Sequence, residues 1–150
     1  MSRYQTILVA VDLTDEAAEV IDAAQTMAKE QQAELHVLTT IRPLSYAYSG
    51  FEPMAISPAL INFESQAQQG AEEWLNKLCE PLGIDKKHIH SAIGGPADQI
   101  KSQAKALKAD LIVVGSHGRK GLGLLLGSTA NGVLHGATVD VLTVRISSDK

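Results

Sequence analysis

Gly115, Gly118, Gly121, Gly123 and Gly127 fall within thirteen positions, between the apolar run Leu111-Ile112-Val113-Val114 and the hydroxyl pair Ser128-Thr129. Glycine has no Cβ, so consecutive N–H groups can crowd toward an anion. A helix opening at Gly127-Ser128-Thr129 would add unpaired amides and the positive end of its dipole. Such a segment suits anion binding, and phosphate above all. It is not a P-loop, because no Gly-Lys-Ser/Thr ends it, and the dinucleotide fingerprint would follow the first strand instead. Glycine-rich turns also arise for steric reasons alone. Arg119 and Lys120 would supply charge to an anion or simply be solvated, and His117 would donate to a phosphate or order the turn.

Asp12 closes the apolar run Ile7-Leu8-Val9-Ala10-Val11. At the carboxyl end of a strand its carboxylate would accept from ribose hydroxyls or an adenine amine; its competing role is to bind its own backbone in the turn. No serine or cysteine nucleophile with a matching acid is identifiable, so no catalytic residue is assigned. His36, His88, His90 and His135 show no His-x-x-x-His spacing, and no metal site is expected. His88 and His90 share one face of a strand and read as an exposed pair. Cys79, the one cysteine, excludes an internal disulfide and reads as a small buried side chain.

The elements that must position these residues alternate. Ile7 to Val11 reads as a central parallel strand covered on both faces. Thr14 is expected to cap a helix carrying Ala17, Val20, Ile21, Ala24, Met27 and Ala28 at three and four spacing, to about Gln31. Leu35 to Thr40 reads as a second strand. Residues 41 to 56, with three prolines and glycines and three aromatics, lose periodicity. Ser57-Pro58 opens a long helix with Leu60, Phe63, Ala67, Ala71, Trp74, Leu75 and Leu78 on one face. His88 to Ile93 is a weaker strand, and Gly94-Gly95-Pro96 turns into a helix over 97–108. Asp110 to Gly115 repeats the central-strand signature, a helix runs from Gly127 to about His135, and Val139 to Ile146 gives a last strand. Five strand and helix alternations imply a doubly wound, Rossmann-like α/β fold: a five-stranded parallel sheet with helices on both faces and ligands beyond the strands' carboxyl ends. The first and fourth strands, the most apolar, are expected side by side at the centre, which puts Asp12 next to Gly115.

One domain over 1–150 is the expectation for 150 residues that are 45% apolar. A formal net charge of -4 offers no footprint for nucleic acid or anionic membrane. No apolar stretch approaches a membrane span and no secretory signal is present, so a cytoplasmic protein without membrane insertion is expected.

Taken together, the Ile7-Leu-Val-Ala-Val-Asp12-Leu-Thr14 opening, the Leu35-His-Val-Leu38 strand, the Asp110-Leu-Ile-Val-Val-Gly-Ser-His-Gly118 segment and Gly127-Ser-Thr-Ala130 resemble the universal stress protein family over nearly the whole chain. In its ATP-binding branch the pattern is Gly, two residues, Gly, nine residues, Gly, then Ser or Thr. The resemblance implies Gly115, Gly118, Gly127 and Ser128, with Thr129 beside it, for phosphate and ribose, Asp12 for the nucleoside, and Val11 and Thr40 beside the base. Mg²⁺ would accompany the nucleotide. This chain has eight positions, Arg119 to Leu126, where that pattern has nine, which shifts the later donors by up to ~3.6 Å unless the turn rearranges. The Ala10 to Thr14 opening and Thr138 to Leu142 resemble the family's other branch, which lacks the glycine motif. The expectation is therefore a non-enzymatic, stress-responsive regulatory protein that binds ATP or a related adenine nucleotide and has an unidentified protein partner. The alternative is a nucleotide-free homodimeric interaction module. A nucleotidyl transferase is disfavoured, since the His-Ile-Gly-His and Ser-Gly-Gly-x-Asp-Ser signatures are absent. The resemblance also implies a homodimer through Val139 to Ile146, an apolar edge needing cover.

Overall fold

Neither pleat face of Ile7 to Val11 carries a polar residue, so a strand made from it must be covered on both sides. In the computed structural model, which describes residues 2–43, 58–116 and 128–146, that run is β1 (Thr6–Val11) at the centre of a five-stranded sheet. It is flanked by β2 (Glu34–Ile41) and β4 (Leu111–Gly115), with β3 (Ile89–Ile93) and β5 (Asp140–Val144) at the two edges, in the order β3-β2-β1-β4-β5. Every pairing is parallel: Ile7 lies opposite Leu35 and Leu111, Val37 opposite Ile89, and Val113 opposite Leu142. The topological switch falls between β1 and β4, as their composition predicts.

Successive residues of β1 feed two separate cores. Ile7, Val9 and Val11 join Leu35, Val37 and Val113 beneath α1 (Ala17–Gln31) and α2 (Pro58–Cys79), which contribute Val20, Ile21, Ala24, Leu75 and Cys79. Leu8 and Ala10 join Leu38, Ile112 and Val114 beneath α3 (Pro96–Leu107) and α4 (Ser128–Leu134), through Ile100, Ala104, Ala130 and Val133. The sheet is thus wound on both faces. Pro96 takes the first position of α3, where its missing N–H costs nothing. Gly94 before it has φ 154°, and a Cβ there would stand 2.6 Å from Gln99 Nε2, so this turn needs glycine.

Two expectations fail in detail. Thr14 does not cap α1. Its hydroxyl accepts from Glu16 N at 3.3 Å and its carbonyl from Ala17 N at 3.0 Å, building a turn that ends before the helix begins. Nor does the apolar face of α2 run its full length: Ala71, Leu75 and Cys79 are buried, but Phe63 is 59% exposed, Ala67 is exposed and Trp74 is 37% exposed. At 1.5 Å per residue the 22 residues of α2 span about 33 Å, whereas five or six strand residues span ~20 Å, so the first turns of α2 overhang the sheet. Trp74 precedes Leu75 by one residue and therefore faces about 100° away from the core.

Candidate functional site

The connections that leave the carboxyl ends of the strands on either side of the switch point go to opposite faces of the sheet, and here that opens a crevice of about 750 Å³. Its floor is Val11 and Asp12 after β1, Thr40 of β2, and Val114 and Gly115 of β4; Pro96 of α3 and Ser128 and Thr129 of α4 close one side, Val20 and Ile146 the other. Val11, Asp12, Thr40, Gly115, Ser128 and Thr129, separated by more than a hundred residues of chain, thus line one cavity. Gly118 and Gly127, with His117, Arg119, Lys120 and the loop between them, lie outside the described residues.

The Asp12 side chain is not consumed by the turn it enters. Thr14 N donates to the Asp12 carbonyl at 2.9 Å and the Thr14 hydroxyl does the rest, so no described residue donates to the Asp12 carboxylate, which is exposed at the crevice. Gly115 has a packing reason to be glycine: a Cβ there would stand 2.9 Å from Ile146 Cδ1 and 2.9 Å from Val20 Cγ2. Ser116 is also committed to structure, its N–H donating to the Val144 carbonyl at 2.7 Å and its Oγ accepting from Ile146 N at 3.1 Å. One wall residue carries a charge that the spacing argument missed: Arg42, exposed just past β2, brings a guanidinium to a cavity whose other described charges are the Asp12 and Glu16 carboxylates. A basic residue directly after a strand's carboxyl end was the available signal.

A second polar cluster forms at the opposite, amino end of the sheet. Glu34 and His36 alternate along β2 on the face that also carries Leu38; His90 lies beside Leu38 in β3, and His88 ends the short turn Lys86–His88 just before that strand. His36, only 6% exposed, has its Nδ1 2.9 Å from His90 Nε2 and its Nε2 2.5 Å from Glu34 Oε1. Its ring centroid lies 4.5 Å from that of His88. His88 and His90 are half-buried rather than exposed. The bond to His36 holds the Glu34 carboxyl below its usual range, and burial, reinforced by His36 and His88, pushes the His90 imidazole down.

The chain matches known proteins along its length. The sequence profile described as "Universal stress protein family" matches residues 3–145. "Universal stress protein A homolog 1" of Coxiella burnetii is 38% identical over 141 residues, 94% of this chain and 96% of that one. Among solved structures, the universal stress protein UspA from Lactobacillus plantarum superposes with a TM-score of 0.78 at 25% identity, covering 97% of this chain and 100% of that one. A universal stress protein in complex with cAMP superposes with a TM-score of 0.61 at 28% identity, covering 96% and 98%. With the sheet order, the crevice and this extent of similarity all in agreement, the chain belongs to the universal stress protein family.

Proposed function

We propose that this chain is a single-domain binding protein that takes up ATP or a related adenine nucleotide in the crevice at the carboxyl ends of β1, β2 and β4 and acts as a cytoplasmic, homodimeric regulator rather than an enzyme. The observation that carries the reading is the convergence of Asp12, Thr40, Gly115, Ser128 and Thr129 on one cavity of about 750 Å³, within the usual size of small-molecule sites. A family relative solved with cAMP supports an adenine nucleotide as the occupant.

The lining fits such a group in parts. The Asp12 carboxylate, which no described residue engages, suits hydroxyl or amine donors of a nucleoside, while Val11 and Thr40 offer a mixed wall for a base. Ser128 and Thr129 present hydroxyls and helix-start amides to oxygen-rich phosphates, and Arg42 adds a cation. Two carboxylates against one guanidinium leave a polyphosphate's charge to the backbone of the glycine segment and to an accompanying Mg²⁺, which binds through phosphates rather than a dedicated protein cage. Adenine nucleotide released on denaturing the freshly purified chain, and absent from Gly118→Val and Gly127→Val, is the expected result. An empty wild type that also fails to compete for nucleotide leaves the interaction module as the reading.

β5 supports the dimer. Among the described residues it pairs with β4 alone, and Val141, Leu142, Val144 and Ile146 are half-buried at that edge. Light scattering is expected to give twice the 16.0 kDa chain mass.

A further inference from the structure

Glu34, His36 and His88 each present one ligand atom, all within 4.8 Å of one another, at the end of the sheet opposite the crevice. We infer that they form a binding site for a divalent late transition metal of the Zn²⁺ type, with His90 as the positioning residue behind His36. The placement follows from strand geometry. Side chains two apart on a strand share a face, so Glu34 and His36 point to one side of β2; His90, beside Leu38, points to the same side of β3, and the turn Lys86–His88 brings the His88 ring centroid to 4.5 Å from that of His36. Parallel pairing begins with Val37 opposite Ile89 and sets Leu38 opposite His90, so His88 sits one residue before the ladder, next to His36. The four side chains therefore form one patch between the start of β2 and the turn that enters β3.

The chemistry is that of a zinc site rather than a hard-cation site. Two imidazoles and a carboxylate suit Zn²⁺, Cu²⁺ or Ni²⁺ and do not suit Mg²⁺ or Ca²⁺. His36 is the fixed member, almost fully buried. Its Nδ1 is tied to His90 Nε2 at 2.9 Å. With Nδ1–H donating to His90, Nε2 is the ring atom directed at Glu34 and offers its lone pair to a metal once the proton between them leaves, the second histidine orienting the ligand ring. Nε2 and Glu34 Oε1 now stand 2.5 Å apart around a shared proton. Zn²⁺ replaces that proton, which leaves to solvent, and takes Nε2, Oε1 and a His88 ring nitrogen as ligands.

Tetrahedral Zn–N and Zn–O bonds of ~2.0–2.2 Å require ligand atoms roughly 3.4 Å apart. Glu34 must retreat by about 1 Å from His36, and with all three ligand atoms already within 4.8 Å of one another His88 has at most ~1.4 Å to close. Both are free to do so. The Glu34 side chain is 53% exposed at the first position of β2, and His88 ends a three-residue turn, Lys86–His88, ahead of β3. The fourth position is left to water or to a side chain from a partner. A metal here would staple the edge strand β3 to β2.

The test is direct: untagged full-length chain, stripped with chelator, is titrated with Zn²⁺ against a chromophoric zinc chelator. One equivalent per chain at micromolar affinity or tighter is expected, with at least tenfold weakening in Glu34→Gln and in His88→Asn and none in His135→Asn. His90→Gln is expected to weaken binding by ~10–100-fold while leaving the stoichiometry at one, the signature of positioning. Co²⁺ loaded in place of Zn²⁺ should show the intense visible bands of a four-coordinate ion, lost in His88→Asn. Glu34 and His88 lie outside both cores, so these variants fold whether or not His36 tolerates replacement. Absence of Zn²⁺ binding to the wild type, or affinity unchanged by both Glu34→Gln and His88→Asn, would overturn the assignment.

Discussion

Gly115→Ala tests whether the floor of the crevice is set by packing. The new methyl would meet Ile146 Cδ1 and Val20 Cγ2, each at 2.9 Å, with Ile146 Cγ1 at 3.5 Å. Comfortable carbon contacts begin near 3.5 Å, so two neighbours must each give by about 0.6 Å. Val20 is 3% exposed, β-branched and held to one rotamer within α1, so it yields little. Ile146 is half-buried beyond the last strand and yields more. Over-packing of this kind costs ~1–3 kcal/mol; with one rigid and one compliant neighbour, about 2 kcal/mol is expected, or a fall in melting temperature of ~4–8 °C at this chain length. Ile146→Val removes the Cδ1 atom and one of the two close contacts. The double variant should therefore be more stable than the sum of the single changes by about 1 kcal/mol in urea unfolding. A Gly115→Ala variant within about 0.5 kcal/mol of wild type, or strictly additive changes, would refute the packing argument.

Elsewhere in the sheet, Thr39 Oγ1 is buried with no hydrogen-bond partner among the described residues, so Thr39→Val, which keeps the shape and removes the orphan, should raise stability by about 1 kcal/mol in urea unfolding. Burial pushes the Cys79 thiol up to about 11; native protein at pH 8 should resist iodoacetamide and react fully only once unfolded. The Asp140 carboxyl is held below its usual value by the Tyr4 hydroxyl, at 2.8 Å, and then by Arg3, at 2.9 Å. Because its folded value is the lower one, its stabilisation is present above the ordinary 3.8 and is lost as pH falls through the depressed value. Asp140→Asn should thus lower the melting temperature slightly at pH 7, not at all at the acid end, and less in about 0.5 M salt.

What could be read from residues alone tracked how local the cause was. β1 and β4 announce themselves because a strand covered on both faces must be apolar at every position, and Ile7 to Val11 and Leu111 to Val114 are. α1 is legible from three and four spacing. The start of α1 was not, because Thr14 serves equally as a cap or as the hinge of a preceding turn, and tertiary placement chose the turn. The overhang of α2 depends on the length of strands elsewhere in the chain, so Phe63 carried the pattern of a core face without a core to meet, and Trp74 stands one residue off the stripe that Ala71, Leu75 and Cys79 bury. The crevice was foreseeable because strand ends at a switch point converge by topology, which brought Asp12, Thr40 and Gly115 together; Arg42 escaped notice because charge after a strand has many causes. The Glu34, His36, His88 and His90 patch was hidden for a different reason. Each half is an ordinary alternating tripeptide, and only the register between β2 and β3 joins them.

In the proposed function an adenine nucleotide occupies the crevice through Asp12 and the segment leading into α4. Isothermal titration of nucleotide-free chain with Mg-ATP measures it most directly, alongside Asp12→Ala, which removes a carboxylate that no described residue engages. One site per chain, weakened at least tenfold, about 1.4 kcal/mol, in Asp12→Ala, is the predicted result. No heat and no competition at millimolar nucleotide, or identical affinity in the variant, would contradict it.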